Sequence, residues 1–188
     1  MNIKRFVIHI KGSQRHASMV DQMDKHYKGE YEVFDAIVDS NAKIGISKSF
    51  RKIITDNYNE PYIHILEDDV LFCGKESRRV FEKHFDNLPT DWHIYLGGSY
   101  TYKPKEKLNG LLKIENFRSL HSVVIRKSAY DLFLSHCDDS NIDHHVSKFN
   151  PKVYLCDPMV AVQQDGYSYN VKRKTSYSRY LRGKNILK

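Results

Sequence analysis

The chain has 188 residues, 40% of them hydrophobic and 12% aromatic, which suits one globular domain and excludes a disordered or low-complexity protein. Its formal net charge of +7 attracts polyanions: nucleotides, nucleic acid or an anionic membrane face. Cys73, Cys137 and Cys156 are odd in number and widely spaced, so they make no disulfide framework and no metal-ligand pattern, and they fit a reducing compartment. No stretch is long and apolar enough for a membrane span, and residues 6–10 are too short for a signal-peptide core. The expected location is the cytoplasm, with peripheral contact at the inner membrane face left open.

Residues 5–10 read as a first buried strand. Lys11-Gly12-Ser13 is a turn, and Ser13 is placed to cap a helix carrying Ala17, Val20, Met23 and Tyr27 on one face. Residues 32–38 form a second strand. Ile46, Phe50, Ile53 and Ile54 recur at helical spacing, and that helix ends before Asn59-Glu60-Pro61. A third strand follows, and strand-helix-strand-helix-strand at this spacing predicts a parallel α/β sheet. Further on, Phe81, Phe85 and Leu88 mark a helix, and residues 93–96 a strand stopped by Gly97-Gly98. The polar, Lys-rich residues 100–109 read as a mobile loop. Residues 122–126 form a strand, Ser128 caps a helix with Ala129, Leu132 and Phe133, residues 141–149 form a short helix, and residues 153–155 a last strand. The end of the chain, from Val171, carries Lys172, Arg173, Lys174, Arg179, Arg182, Lys184 and Lys188 and no acid. Such a charge run is most often a solvated face.

The third strand carries the most chemistry. Tyr62-Ile63-His64-Ile65-Leu66 ends in Glu67-Asp68-Asp69 before the chain turns apolar again. Three adjacent carboxylates repel and raise one another's pKa. A divalent cation relieves that repulsion, and hard oxygen ligands suit Mn²⁺ or Mg²⁺, which in turn hold a diphosphate. The carboxyl end of a strand is where open α/β sheets bind ligands. The alternative is a solvated acidic turn.

Several blocks, taken in order, resemble glycosyltransferase family 25, the lipopolysaccharide-type sugar transferases with a GT-A fold. They are Val7-Ile8-His9-Ile10 followed by Arg15, the pair Asp35-Ala36, the segment Gly45-Ile46-Ser47-Lys48-Ser49, and Leu66-Glu67-Asp68-Asp69-Val70. Residues 120–129, Ile142-Asp143 and residues 158–168 continue the likeness. Phe50 follows Ser49 where the family usually has a histidine, and the last histidine is His145, where many GT-A enzymes place a later metal ligand.

The resemblance implies an α/β fold of GT-A-like Rossmann type: a mostly parallel sheet flanked by helices in a single domain over residues 1–170. Residues 171–188 would be a basic, tyrosine-containing tail acting as lid or acceptor-binding segment. It implies a metal-dependent glycosyltransferase that moves a sugar from a nucleotide-sugar donor to a hydroxyl, most simply on a saccharide. Asp69 and Asp68 would hold Mn²⁺ or Mg²⁺, with Arg15, Asp35, Glu67, Asp68, Gln164 and Ser168 at the donor. Asp143 would be the general base of an inverting reaction, or would merely open a helix, where an acid is favourable against the dipole. Tyr167, Lys172, Arg173 and Lys174 would serve the acceptor or the lid. Interleaved tyrosines and basic residues also suit DNA, so a hydroxymethylated base is a second acceptor. A nucleotide-binding module without turnover is the reading from another class.

Overall fold

The computed structural model describes residues 3–137, 140–168 and 173–188. Strand β1 (Lys4–His9), helix α1 (His16–Tyr27), β2 (Glu32–Asp35), α2 (Ala42–Asp56) and β3 (Tyr62–Glu67) form the parallel unit expected from the alternating pattern. After β3 come β4 (Val70–Phe72), α3 (Ser77–Phe85), β5 (Ile94–Leu96), the hairpin β6 (Thr101–Leu108) and β7 (Leu111–Arg118), and β8 (Ser122–Arg126). Helices α4 (Tyr130–Leu134) and α5 (Ile142–Lys148) lead to β9 (Val153–Cys156), β10 (Ala161–Gln163), β11 (Gly166–Ser168) and β12 (Arg173–Thr175).

One eight-stranded sheet has the order β2-β1-β3-β8-β5-β9-β7-β6. Strands β1, β2 and β3 are mutually parallel, β8 and β7 are reversed, and the remaining strands share the direction of β1. The sheet is therefore mixed in its pairing and mostly parallel in strand direction. Alternation along β3 sorts its side chains between two layers. Ile63 and Ile65 enter the core shared with Phe50 and Ile53 of α2 and Val146 of α5, whereas Leu66 joins Val7 and Met19 and Met23 of α1. The same alternation sends Glu67 toward the α2–α5 side and Asp68 toward α1.

Several expectations need correction. Helix α1 starts at His16 with no side-chain cap; Ser13 Oγ instead accepts from the Arg15 backbone N–H at 3.3 Å inside the preceding turn. No side chain caps the helical turns after β8, so Ser128 is not a cap. The segment expected as a mobile loop is the edge strand β6. Its exposed Lys103, Lys105 and Lys107 alternate along the strand, with Pro104 among them. Lysine and proline on an edge block pairing with other chains, so the features that look like a loop are those of a protected edge.

The end of the chain packs on the same body. Asp165 accepts from the backbone N–H groups of Tyr177 at 2.6 Å and Ser178 at 2.9 Å. Leu187 N donates to Met159 O at 2.9 Å, and Ile186 and Leu187 lie against the main core. No helix among the described residues is long and apolar enough to cross a membrane.

Candidate active site

The site lies at the carboxyl ends of β1 and β3, where helix-flanked parallel strands leave a crevice. Asp68 and Asp69 are 8% and 4% exposed despite their charge. Their company explains how. His9, the last residue of β1, donates from Nδ1 to Asp68 Oδ2 at 2.9 Å, and Arg15 Nη1 donates to Asp68 Oδ1 at 2.8 Å. The same Nη1 stands 3.2 Å from Asp69 Oδ2, so one guanidinium bridges both carboxylates. Arg15 also donates from Nη2 to the Tyr167 carbonyl at 2.5 Å, fastening β11 over the acidic turn. Below Asp69, its own carbonyl accepts from Gln164 N at 2.7 Å, and Gln163 Nε2 donates to Asp69 Oδ2 at 3.4 Å.

Burial, opposed by the Arg15 charge, lifts the Asp69 pKa to about 6. Glu67 is lifted well above the carboxylate range, first by burial and then by Asp69, Asp143 and Asp68.

Two cavities meet here. The first, of about 270 Å³, is lined by Ile8, Ala36, Asp39 and Gly45 on one side and by Glu67, Asp68 and Asp69 on the other, with Tyr167, Ser168 and Tyr177 above. A Cβ on Gly45 would lie 2.6 Å from the Ile37 carbonyl oxygen, so glycine lets α2 close against the chain leaving β2. Ser49 completes that join, its Oγ accepting from Ile37 N at 2.9 Å and donating to Gly45 O at 2.9 Å. The second cavity, of about 370 Å³, holds Asp143 and Tyr100. Glu67, Gln163, Ser168 and Tyr177 line both.

Of the expected site residues, Arg15, Glu67, Asp68, Asp69, Ser168 and Tyr167 border the first cavity, and Asp143 and Arg173 the second. Asp35 does not. Phe34 and Ala36 pack toward the core, so Asp35 between them projects out into solvent, and Asp39 takes the place at the cavity. Gln164 also turns away, accepting from Ser18 Oγ at 3.4 Å, and Gln163 faces the site. Lys174 is exposed on β12 and lines neither cavity. Lys172 lies outside the described residues.

Asp143 accepts from the Ser119 backbone N–H at 3.0 Å and from His144 N at 2.7 Å, so both its oxygens serve the backbone. Ser119 has φ of 82°, a strained setting for serine, and Asp143 helps hold it. The sequence did not single out Asp39, Lys43 or Tyr100 for the site; it offered Arg179 only as part of the basic tail and His9 only as part of the first strand. For His9 the signal was its place at the end of an apolar strand.

The donor set fits a hard divalent cation in a changed form. Asp69 Oδ1 and Gln163 Oε1 are buried oxygens with no hydrogen-bond partner among the described residues, whereas both Asp68 oxygens are taken by His9 and Arg15. No group of three or more His, Cys, Asp or Glu side chains among the described residues is arranged to hold a metal. A cation here would draw most of its ligands from phosphate and water, as Mg²⁺ commonly does.

No family model matches the chain, and no curated protein matches it. Solved structures do. A197 from STIV aligns with a TM-score of 0.56 at 15% identity over 93% of both chains. A glycosyltransferase involved in the glycosylation of the major capsid of PBCV-1 aligns at 0.52 with 10% identity over 96% of this chain and 97% of that one. The inositol-1-phosphate CTP transferase from T. maritima aligns at 0.51 with 16% identity over 96% of this chain and 78% of that one. The fold is thus the GT-A-like fold that glycosyltransferases and nucleotidyltransferases share; nothing in the likeness singles out glycosyltransferase family 25.

Proposed function

We propose that the protein is a nucleotide-sugar-dependent glycosyltransferase, with the donor in the first cavity and the acceptor hydroxyl in the second. The observation that carries this reading is the junction: Glu67 is shared by two adjoining cavities. A transfer reaction needs a donor and an acceptor to meet at one reacting carbon. The buried acidic turn, the bridging Arg15 and the sheet's carboxyl edge favour a diphosphate in the first cavity. Asp69 and Gln163 would hold Mn²⁺ or Mg²⁺, which when bound neutralises charge on the leaving diphosphate.

Glu67 takes the role of general base in this reading, displacing Asp143, whose oxygens already accept backbone N–H groups. The acceptor O–H proton passes to Glu67 as the oxygen bonds to the anomeric carbon. The bond from that carbon to the diphosphate breaks, and its electron pair leaves with the nucleotide. Asp143 shapes the acceptor side by fixing Ser119. A saccharide is the simplest acceptor for a cavity of about 370 Å³. The DNA-base alternative draws on the same cavity's Tyr100, Tyr177, Arg173 and Arg179.

The test is thermal stabilisation by nucleoside diphosphates and nucleotide-sugars, with Mn²⁺ or chelator, in wild type and Asp69→Ala. The expected result is a shift with one nucleotide that is enlarged by metal and lost in the variant. No shift with any nucleotide refutes the reading. Binding without turnover on any acceptor would favour a nucleotide-binding module.

A further inference from the structure

We infer that the acceptor carries a phosphate close to its reacting hydroxyl, an inference that rests on the two-cavity reading above. The second cavity is graded in charge. Its half-buried members Glu67 and Asp143 are acidic, and its exposed members Lys43, Arg173 and Arg179 are basic. None of these three cations forms an ion pair among the described residues, although other basic side chains of the protein do so repeatedly. They come from α2, from β12 and from the turn after it, three separate elements converging on one opening.

The same cavity has an aromatic wall. Tyr100 packs against Tyr177 and Tyr180 with ring centroids 5.5 and 5.6 Å apart, and the Arg179 guanidinium lies 4.6 Å from the Tyr180 ring centroid. A sugar ring lies against tyrosine faces, its hydroxyl toward the carboxylates. Guanidinium groups that hold no carboxylate among the described residues match the forked geometry of a phosphate. A cavity of about 370 Å³ suits one sugar residue with its phosphate rather than a long strand.

The experiment titrates wild-type protein with inorganic phosphate and with matched hexoses and hexose phosphates, by calorimetry at low and moderate salt. Nucleoside-diphosphate binding is measured on the same samples. The expected result is that a hexose phosphate binds at least about tenfold more tightly than its neutral hexose. The Arg173→Gln/Arg179→Gln double variant should lose that preference while nucleotide binding stays unchanged. Because Arg179 also donates to the Tyr180 hydroxyl at 2.6 Å, Lys43→Gln serves as a second variant, and it should weaken the preference without touching the tyrosines. Equal binding of neutral and phosphorylated hexoses, with nucleotide binding intact, overturns this inference alone. A short DNA oligonucleotide that binds more tightly than every hexose phosphate, with a steep salt dependence, overturns it in favour of nucleic acid. Absence of nucleoside-diphosphate binding by the wild type overturns the donor assignment and this inference with it.

Discussion

Arg15 and Asp68 are joined by a 2.8 Å ion pair, and the same guanidinium nitrogen reaches Asp69 at 3.2 Å. Two adjacent buried carboxylates thus share one fixed cation supplied by the turn before α1. That arrangement lets the acidic turn fold, and it also places a permanent positive charge beside the proposed diphosphate. Arg15→Gln should destabilise the protein by about 1.5–3 kcal/mol, the range for hydrogen bonds to charged groups. The variant should also gain more stability from added Mn²⁺ than wild type does. Urea denaturation with and without the metal checks both, and equal metal responses would refute the shared-cation account.

Glu67 and Asp143 are expected to separate in kinetics. Glu67→Gln should lower turnover by about 10²–10⁴-fold, the usual range for a general base, while donor binding persists. Asp143→Asn should affect turnover less and stability more, because it weakens the hold on Ser119 N. Steady-state kinetics on both variants, beside their melting temperatures, decides between the carboxylates. The reverse pattern would return the base to Asp143.

Asp68 and Asp69 differ in what their oxygens do. Asp69→Asn alters the carboxylate whose Oδ1 has no partner among the described residues, so it should abolish the metal-dependent part of nucleotide binding with little loss of stability. Asp68→Asn disrupts the contacts to His9 and Arg15 and should cost stability first. Parallel metal titrations and melts of the two variants distinguish these outcomes.

Acid stability should be governed in part by two buried histidines of the central sheet region. His64 and His121 are buried, and burial holds His64 well below the imidazole range and His121 at about 4. The unfolded chain takes up a proton on each near pH 6.5, where the folded protein does not. The unfolded state therefore binds more protons, and stability falls as pH drops from about 6.5 toward 4, by about 1.4 kcal/mol per pH unit for each group. Asp69 and Glu67, whose pKa values are raised on folding, work in the opposite sense over part of this range, so the histidine share is read by difference: between pH 7.5 and 4.5, denaturant midpoints of His121→Gln should fall less steeply than those of wild type by one proton's share.

Gly45→Ala should narrow the first cavity. The new methyl would meet the Ile37 carbonyl oxygen at 2.6 Å, so α2 or the chain after β2 must shift. Overpacking of this kind costs about 1–3 kcal/mol. Nucleotide affinity should fall along with the melting temperature, and unchanged affinity would remove this wall from the donor site.

The parallel unit was legible because each strand is a short apolar run and α2 carries apolar residues at helical spacing. The hairpin of β6 and β7 was not. Lysine at alternate positions reads as polar sequence, and only the neighbouring strands β7 and β9 reveal an edge. The acidic turn could be read from Glu67-Asp68-Asp69 alone, but its partners could not. His9 and Arg15 reach Asp68 only through the parallel pairing of β1 with β3. Asp35 and Gln164 each sit next to a residue that does line the site. Which of two neighbours faces inward depends on strand register, and for Gln163 that register comes from the three-residue partner β4, too short to stand out in the sequence.

Ser168 and Tyr177 form part of the wall of both cavities, and Asp165 pins the backbone at Tyr177. A molecule in one chamber therefore touches the partition of the other. Kinetically, the two substrates should not behave as independent variables. The apparent affinity for one should depend on the concentration of the other, and by the same factor in both directions.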